Sequence, residues 1–138
     1  KLAAGSLLIE FLGRVTDAEK AKLYAECRAF INPQEEDFGI TVVEALASGR
    51  PVIAYGRGGV LETVRDGVTG VLFYDQSAPG LAGAVRRFTA LKFDPAAIRQ
   101  TALKFDTALF KANIGKFVNE EYQKYCEEIT GGNAKGAL

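Results

Sequence analysis

Residues 38–56 read Phe38-Gly39-Ile40-Thr41-Val42-Val43-Glu44-Ala45-Leu46-Ala47-Ser48-Gly49-Arg50-Pro51-Val52-Ile53-Ala54-Tyr55-Gly56. A loop containing Gly39 opens into a helical pattern from Ile40 to Ser48, and Gly49 followed closely by Pro51 stops that helix. Val52-Ile53-Ala54-Tyr55 is then a β-rich run bounded by Pro51 and Gly56, the form of a buried strand. Helix followed by a continuous apolar strand is the repeating unit of a parallel α/β sheet.

The alternation extends in both directions. Leu7-Leu8-Ile9-Glu10-Phe11-Leu12 is a short apolar run closed by Gly13 and is expected as a buried strand. Asp17 is expected to cap a helix through Ala25, with Leu23, Tyr24 and Cys27 on one side. Ala29-Phe30-Ile31-Asn32 is a second short strand, stopped by Pro33. Gly58-Gly59 precedes a short helix from Val60 to Val64, Asp66-Gly67 makes a turn, and Gly70 to Tyr74 reads as the last strand. Beyond it the pattern is helical: Leu81, Val85 and Phe88 recur at helix spacing, and Phe110, Ile114, Phe117, Val118, Tyr122 and Tyr125 form a longer stripe. Residues 131–138 are small and Gly-rich, expected as a flexible tail to a domain over residues 1–130. The fold class is α/β, a Rossmann-like parallel sheet flanked by helices. With about four strands it is expected to lack its first βαβ unit.

Composition narrows the chemistry. The 138 residues suit one domain, and 48% hydrophobic with 25% charged is ordinary globular composition. Seventeen basic against seventeen acidic residues leave no net charge, so the electrostatic signature of a nucleic-acid or anionic-membrane binder is missing. The absence of histidine excludes Ser-His-Asp and Cys-His nucleophile systems and imidazole-based metal sites. Cys27 and Cys126 are too few for a disulfide scaffold or a structural zinc site and read as thiols in a reducing compartment. No signal segment opens the chain, and no run of about 18 apolar residues could span a bilayer. What remains is chemistry by carboxylates, backbone dipoles, Arg or Lys. The chain starts at Lys1 and contains no methionine, which reads as a piece of a longer protein.

The loop before Ile40 sits where ligands bind in an open α/β sheet, beyond the carboxyl ends of the strands. Backbone N–H groups around Gly39, Ile40 and Thr41, with the positive end of the helix dipole, form an anion site suited to a diphosphate. Glu44 lies one turn inside the helix, on the face shared with Ile40 and Thr41, where its carboxylate can accept hydrogen bonds from a vicinal diol. Glu36 would reach the other end of such a ligand. By residue type alone, Glu35-Glu36-Asp37 reads first as a solvated loop and Glu44 as a surface residue. The two glutamates also admit a glycosidase pair, although nothing else supports it.

The surrounding residues carry a resemblance. Glu36 and Glu44 are two glutamates separated by seven residues. They stand with Phe38-Gly39-Ile40, Glu44-Ala45-Leu46-Ala47-Ser48-Gly49, Pro51-Val52-Ile53-Ala54, Gly58-Gly59 with Glu62, and Asp66-Gly67-Val68-Thr69-Gly70. In this order they closely resemble the C-terminal, nucleotide-sugar-binding domain of retaining GT-B glycosyltransferases of group 1 (family 4), mannosyltransferase-like in form. The resemblance covers roughly Phe11 to Tyr74 well and the later helices loosely.

It implies that Glu44 holds the ribose hydroxyls of the donor. Glu36, the residue assigned to catalysis, holds hydroxyls of the transferred sugar together with backbone groups of Phe38 and Gly39. The amides of Ile40 and Thr41 face the diphosphate, and Arg14 and Val15 lie beside the base. It further implies a donor of GDP-mannose, or second a UDP-hexose, with no metal and no other cofactor. The acceptor is a saccharide or lipid-linked species held by a missing N-terminal domain, in polysaccharide assembly. The location is cytoplasmic, peripheral at the inner membrane in the parent protein.

The family's positive Arg/Lys pair has no counterpart here, so the chain alone is expected not to transfer sugar. The last helix packs across the partner domain in the resembling fold, so its apolar face, together with the sheet edge left bare by the missing unit, is expected to drive self-association. The competing reading is a non-catalytic oligomerisation or regulatory module that keeps the fold. A dinucleotide oxidoreductase fits poorly, because no G-x-G-x-x-G follows a strand.

Overall fold

The computed structural model describes residues 8–132. The chain divides between Thr101 and Ala102 into two compact units. The first holds three parallel strands in the spatial order β1 (Phe30–Asn32), β2 (Val52–Tyr55) and β3 (Gly70–Phe73). Parallel neighbours need a crossover, and helices supply it. Helix α1 (Asp17–Glu26) precedes β1, α2 (Ile40–Ala47) joins β1 to β2, and α3 (Val60–Thr63) joins β2 to β3. Helices α4 (Ala78–Thr89) and α5 (Pro95–Ala102) follow.

The register pairs Ile31 with Ile53 and Ile53 with Val71. Apart from half-buried Tyr55, every residue of β2 and β3 is buried. Burial of both faces explains why these strands are continuous apolar runs rather than alternating ones. Ile53, Val71 and Phe73 point to one face, where they pack with Ala84, Leu81 and Phe88 of α4. Phe88 stacks on Phe93 at 5.3 Å between centroids, which folds the chain back after α4. Helix α2 packs on β1 and β2 with Val42, Ala45 and Leu46 fully buried. Each such aliphatic side chain as large as Val or Leu contributes about 1.5–3 kcal/mol by leaving water.

Two expectations fail. Leu7–Leu12 is not a strand: Leu7 lies outside the described residues, and residues 8–12 run without strand pairing, with Leu8 96% and Phe11 81% exposed. A strand's N–H and C=O groups need a neighbouring ladder, and among the described residues no strand pairs with the outer edge of β1. Among the described residues the sheet therefore has three strands rather than about four. The cap of α1 is Thr16, not Asp17. Thr16 Oγ1 accepts the Glu19 N–H at 3.3 Å, and Glu19 Oε2 accepts the Thr16 N–H at 2.8 Å. That reciprocal pair is a capping box, and it leaves Asp17 as the first helical residue, where its charge still favours the helix dipole. Elsewhere the expected elements form, with ends displaced by a residue at Ala29, Ser48, Val64 and Tyr74.

The second unit is a 3-10 turn over Leu103–Phe105 and one long helix, α6 (Thr107–Gly132). Phe110, Ile114, Phe117, Val118, Tyr122, Tyr125 and Ile129 are all exposed on α6. Residues 131–132 continue this helix; residues 133–138 of the expected tail lie outside the described residues. No helix among the described residues is long and apolar enough to cross a membrane.

Candidate functional site

Because the three strands are parallel, the loops after β1, β2 and β3 leave the same end of the sheet. The first of them runs into α2 through Gly39, which sits in the left-handed region at φ 79°, ψ 63°. Only glycine adopts that conformation without strain. Gly39 has no side chain to cap the helix, and its carbonyl accepts Val42 N–H at 3.0 Å and Val43 N–H at 3.3 Å. The N–H groups of Ile40 and Thr41 find no acceptor among the described residues. Two free donors at the positive end of a helix are an open anion seat. A Cβ placed on Gly39 would lie 3.3 Å from Glu36 Oε2. The structure thus brings Glu36, Gly39, Ile40 and Thr41 to one spot, with the side chains of Phe38 and Ile40 exposed beside it. The Gln34 side-chain amide donates to Glu36 Oε1.

The loop after β2 holds this loop in place. Gly59 N–H donates to the Glu36 carbonyl at 2.9 Å, and Glu36 and Gly58 form a parallel bridge. A Cβ on Gly58 would collide with the Glu36 carbonyl; one on Gly59 would collide with the Asp37 carbonyl and lie 2.7 Å from Phe38 Cα. The paired glycines therefore allow backbone to lie directly on backbone under Glu36-Asp37-Phe38. Arg57, between the two loops, pairs with Glu35 at 3.5 Å.

Glu44 is half-buried and faces α1. Lys20 Nζ donates to Glu44 Oε1 at 2.8 Å, and Tyr24 OH lies 3.3 Å from Oε2. The hydrogen bond to Glu44 raises the Lys20 ammonium. Burial, then the Glu44 charge, pushes the Tyr24 phenol up to about 12. The Tyr24 ring meets Phe30 of β1 edge-on at 5.6 Å, which ties this side chain to the sheet. Sequence reading did not single out Lys20 or Tyr24 as site residues. Their i,i+4 spacing on α1 was the available signal, but the carboxylate they share lies 24 and 20 positions further along.

Arg14 is exposed and Val15 half-buried, on the stretch leading into the α1 cap. Among the described residues neither is joined to Glu36 or Glu44 by a hydrogen bond or ion pair. The Asp66-Gly67-Val68-Thr69-Gly70 motif belongs to the frame. Asp66 Oδ1 accepts Leu72 N–H at 2.8 Å, Arg87 of α4 donates to Oδ2, and buried Thr69 accepts Arg65 N–H at 2.8 Å. Burial pushes the Asp66 carboxyl up, but Arg87 and the Leu72 amide outweigh it and hold it below the ordinary value.

A parallel α/β unit whose first crossover helix opens uncapped beyond the strand ends, with Glu36 beside it, has the frame of the doubly wound class. The chain belongs to the family described as Glycosyl transferases group 1, whose family model it matches over residues 5–105. It is 46% identical over 63 residues to the alpha-1,3/1,6-mannosyltransferase ALG2 of Dictyostelium discoideum, covering 45% of this chain and 15% of that one. Its fold is similar to sucrose-phosphate synthase from Thermosynechococcus elongatus, with TM-score 0.72 and 29% identity over 83% of this chain and 30% of that one. It is also similar to Anabaena HepE, solved in complex with UDP and glucose, with TM-score 0.65 and 28% identity over 80% and 32% of the two chains. The chain spans under a third of the length of each of these proteins.

Proposed function

We propose that the chain is the donor-binding part of a retaining glycosyltransferase that transfers a hexose to a saccharide or lipid-linked acceptor in the cytoplasm. The observation that carries this is the uncapped N-terminus of α2 with Glu36 beside it and Glu44 one turn further along. The diphosphate of the donor sits on the Ile40 and Thr41 amides, where the helix dipole stabilises the charge that develops on the leaving phosphate without a metal. Glu44 takes the ribose diol. Glu36, with the Phe38 and Gly39 backbone, takes the hydroxyls of the transferred sugar, and Arg14 and Val15 border the base. GDP-mannose is the first donor, in line with the mannosyltransferase relative; a UDP-hexose is the second, in line with the UDP and glucose of the HepE structure. The acceptor site and the positive pair are supplied from outside this chain, so turnover by the chain alone is not expected.

Calorimetric titration of GDP, UDP and ADP into the purified protein tests the site. Glu44→Ala should weaken the preferred nucleotide by about 1–3 kcal/mol, the cost of losing hydrogen bonds to a charged group. Unchanged affinity would remove Glu44 from the site.

The exposed stripe of α6 takes a second copy of this chain. Seven large apolar side chains, each showing roughly half its surface, offer on the order of 700 Å², close to the ~800 Å² per partner of a standard interface. Lys111 and Lys116 lie in the first half of α6, while Glu120, Glu121, Glu127 and Glu128, against the single Lys124, lie in the second. Two copies paired antiparallel set the basic half of one helix against the acidic half of the other.

A further inference from the structure

Lys20 and Tyr24 approach one carboxylate from α1, each taking a different oxygen. Lys20 Nζ is 2.8 Å from Glu44 Oε1 and 3.5 Å from Asp17 Oδ1; Tyr24 OH is 3.3 Å from Glu44 Oε2. Tyr24 is braced by the edge-on ring of Phe30, and Lys20 is spanned by two carboxylates. An ionised carboxylate has about four acceptor positions, two on each oxygen. One on each is occupied here, so one on each remains. That residual pair, a single acceptor on each of two oxygens a fixed distance apart, matches two adjacent hydroxyls of a sugar ring. A glutamate without these contacts would have to give up side-chain freedom on binding.

We propose that Lys20 and Tyr24 are positioning residues that hold the Glu44 carboxylate for two-point recognition of a ribose 2′,3′-diol, so that α1 sets the preference for ribo- over 2′-deoxyribonucleotides. This rests on the placement of the donor ribose at Glu44 under the proposed function. It goes beyond that placement by naming what turns a flexible glutamate into a selective one. The Tyr24 phenol, pushed up by burial and the Glu44 charge, keeps its proton as a donor at neutral pH.

The test is a set of calorimetric affinities for UDP and GDP against their 2′-deoxy counterparts. The proteins are the wild type, Tyr24→Phe, Lys20→Met and Lys20→Arg, with melting curves for each. The wild type should prefer the ribo form. In Tyr24→Phe and Lys20→Met that preference should fall at least about fivefold while the 2′-deoxy affinity stays within about twofold, and Lys20→Arg should recover most of it; these are the sizes expected for loss of one hydrogen bond to an oriented charge. A preference that survives in both variants would overturn the proposal and leave the contacts as a fastening of α1 to α2. A wild type that binds nucleotide with no ribo preference would instead defeat the placement of ribose at Glu44, and this inference with it. Tyr24→Phe keeps the ring contact with Phe30, so it carries the test if Lys20→Met fails to fold.

Discussion

Gly59 donates its backbone N–H to the Glu36 carbonyl at 2.9 Å, tying the loop after β2 to the loop after β1. The residue proposed to hold the transferred sugar is thus shaped from beneath by a neighbour 23 positions away. Side-chain chemistry at Glu36 and backbone clearance at Gly58-Gly59 are parts of one arrangement.

Gly58→Ala and Gly59→Ala should both destabilise the first unit. Gly58 sits at φ 70°, and a Cβ at either position meets backbone atoms that have no flexible side chain to move aside. A loss of about 2–4 kcal/mol is expected from enforced backbone strain and overlap. Chemical denaturation measures it; a change below about 0.5 kcal/mol, the range of neutral surface changes, would show that the two loops are not packed this closely.

Asp66→Asn should cost about 1 kcal/mol. It removes the charge opposite Arg87 while leaving an oxygen for the Leu72 amide. The pair is partly exposed, which keeps the figure small. Because the folded Asp66 carboxyl is held below its ordinary value, the stabilisation is present above the unfolded value of about 3.9 and is lost as pH falls through the lower folded value. Wild-type and Asn melting curves should therefore converge in acid; a gap that persisted there would point to a cause other than the ion pair.

Tyr24 makes the alkaline limb informative. Its phenol is raised to about 12 when folded, against about 10 when unfolded. The resulting stabilisation is complete below pH 10 and is lost as pH rises through 12. Ultraviolet titration of phenolate should lose its latest step in Tyr24→Phe, and the variant's stability should decline less between those limits. An unchanged titration would mean that the hydroxyl is not buried against Glu44.

Sedimentation equilibrium should show concentration-dependent association through α6. Replacing Phe117 and Tyr122 by Lys should leave monomers without lowering the stability of the first unit, because charge is costly only in a dry interface. A wild type that stays monomeric at high concentration sinks the pairing.

The alternation of helix and apolar run, the stop at Gly49 and Pro51, and the spacing of Glu36 from Glu44 are local properties, so they were legible along the chain. Periodicity and turn chemistry act over a few residues and need no partner to be recognised. The cap of α1 was equally local: Thr16 and Glu19 have the capping-box spacing, and Asp17 merely sits beside them. The run at Leu7–Leu12 has strand composition, but a strand exists only where another offers it a ladder, and residues 8–12 have none. The same holds at the site. Sequence alone determined that a glycine-opened helix with two acidic residues follows a short strand, because φ at Gly39 and the helix pattern are set by nearby residues. Only the tertiary structure decided that Glu44 is held by Lys20 and Tyr24 and that Gly58-Gly59 underlies Glu36, because those contacts depend on how a parallel sheet stacks separate segments side by side.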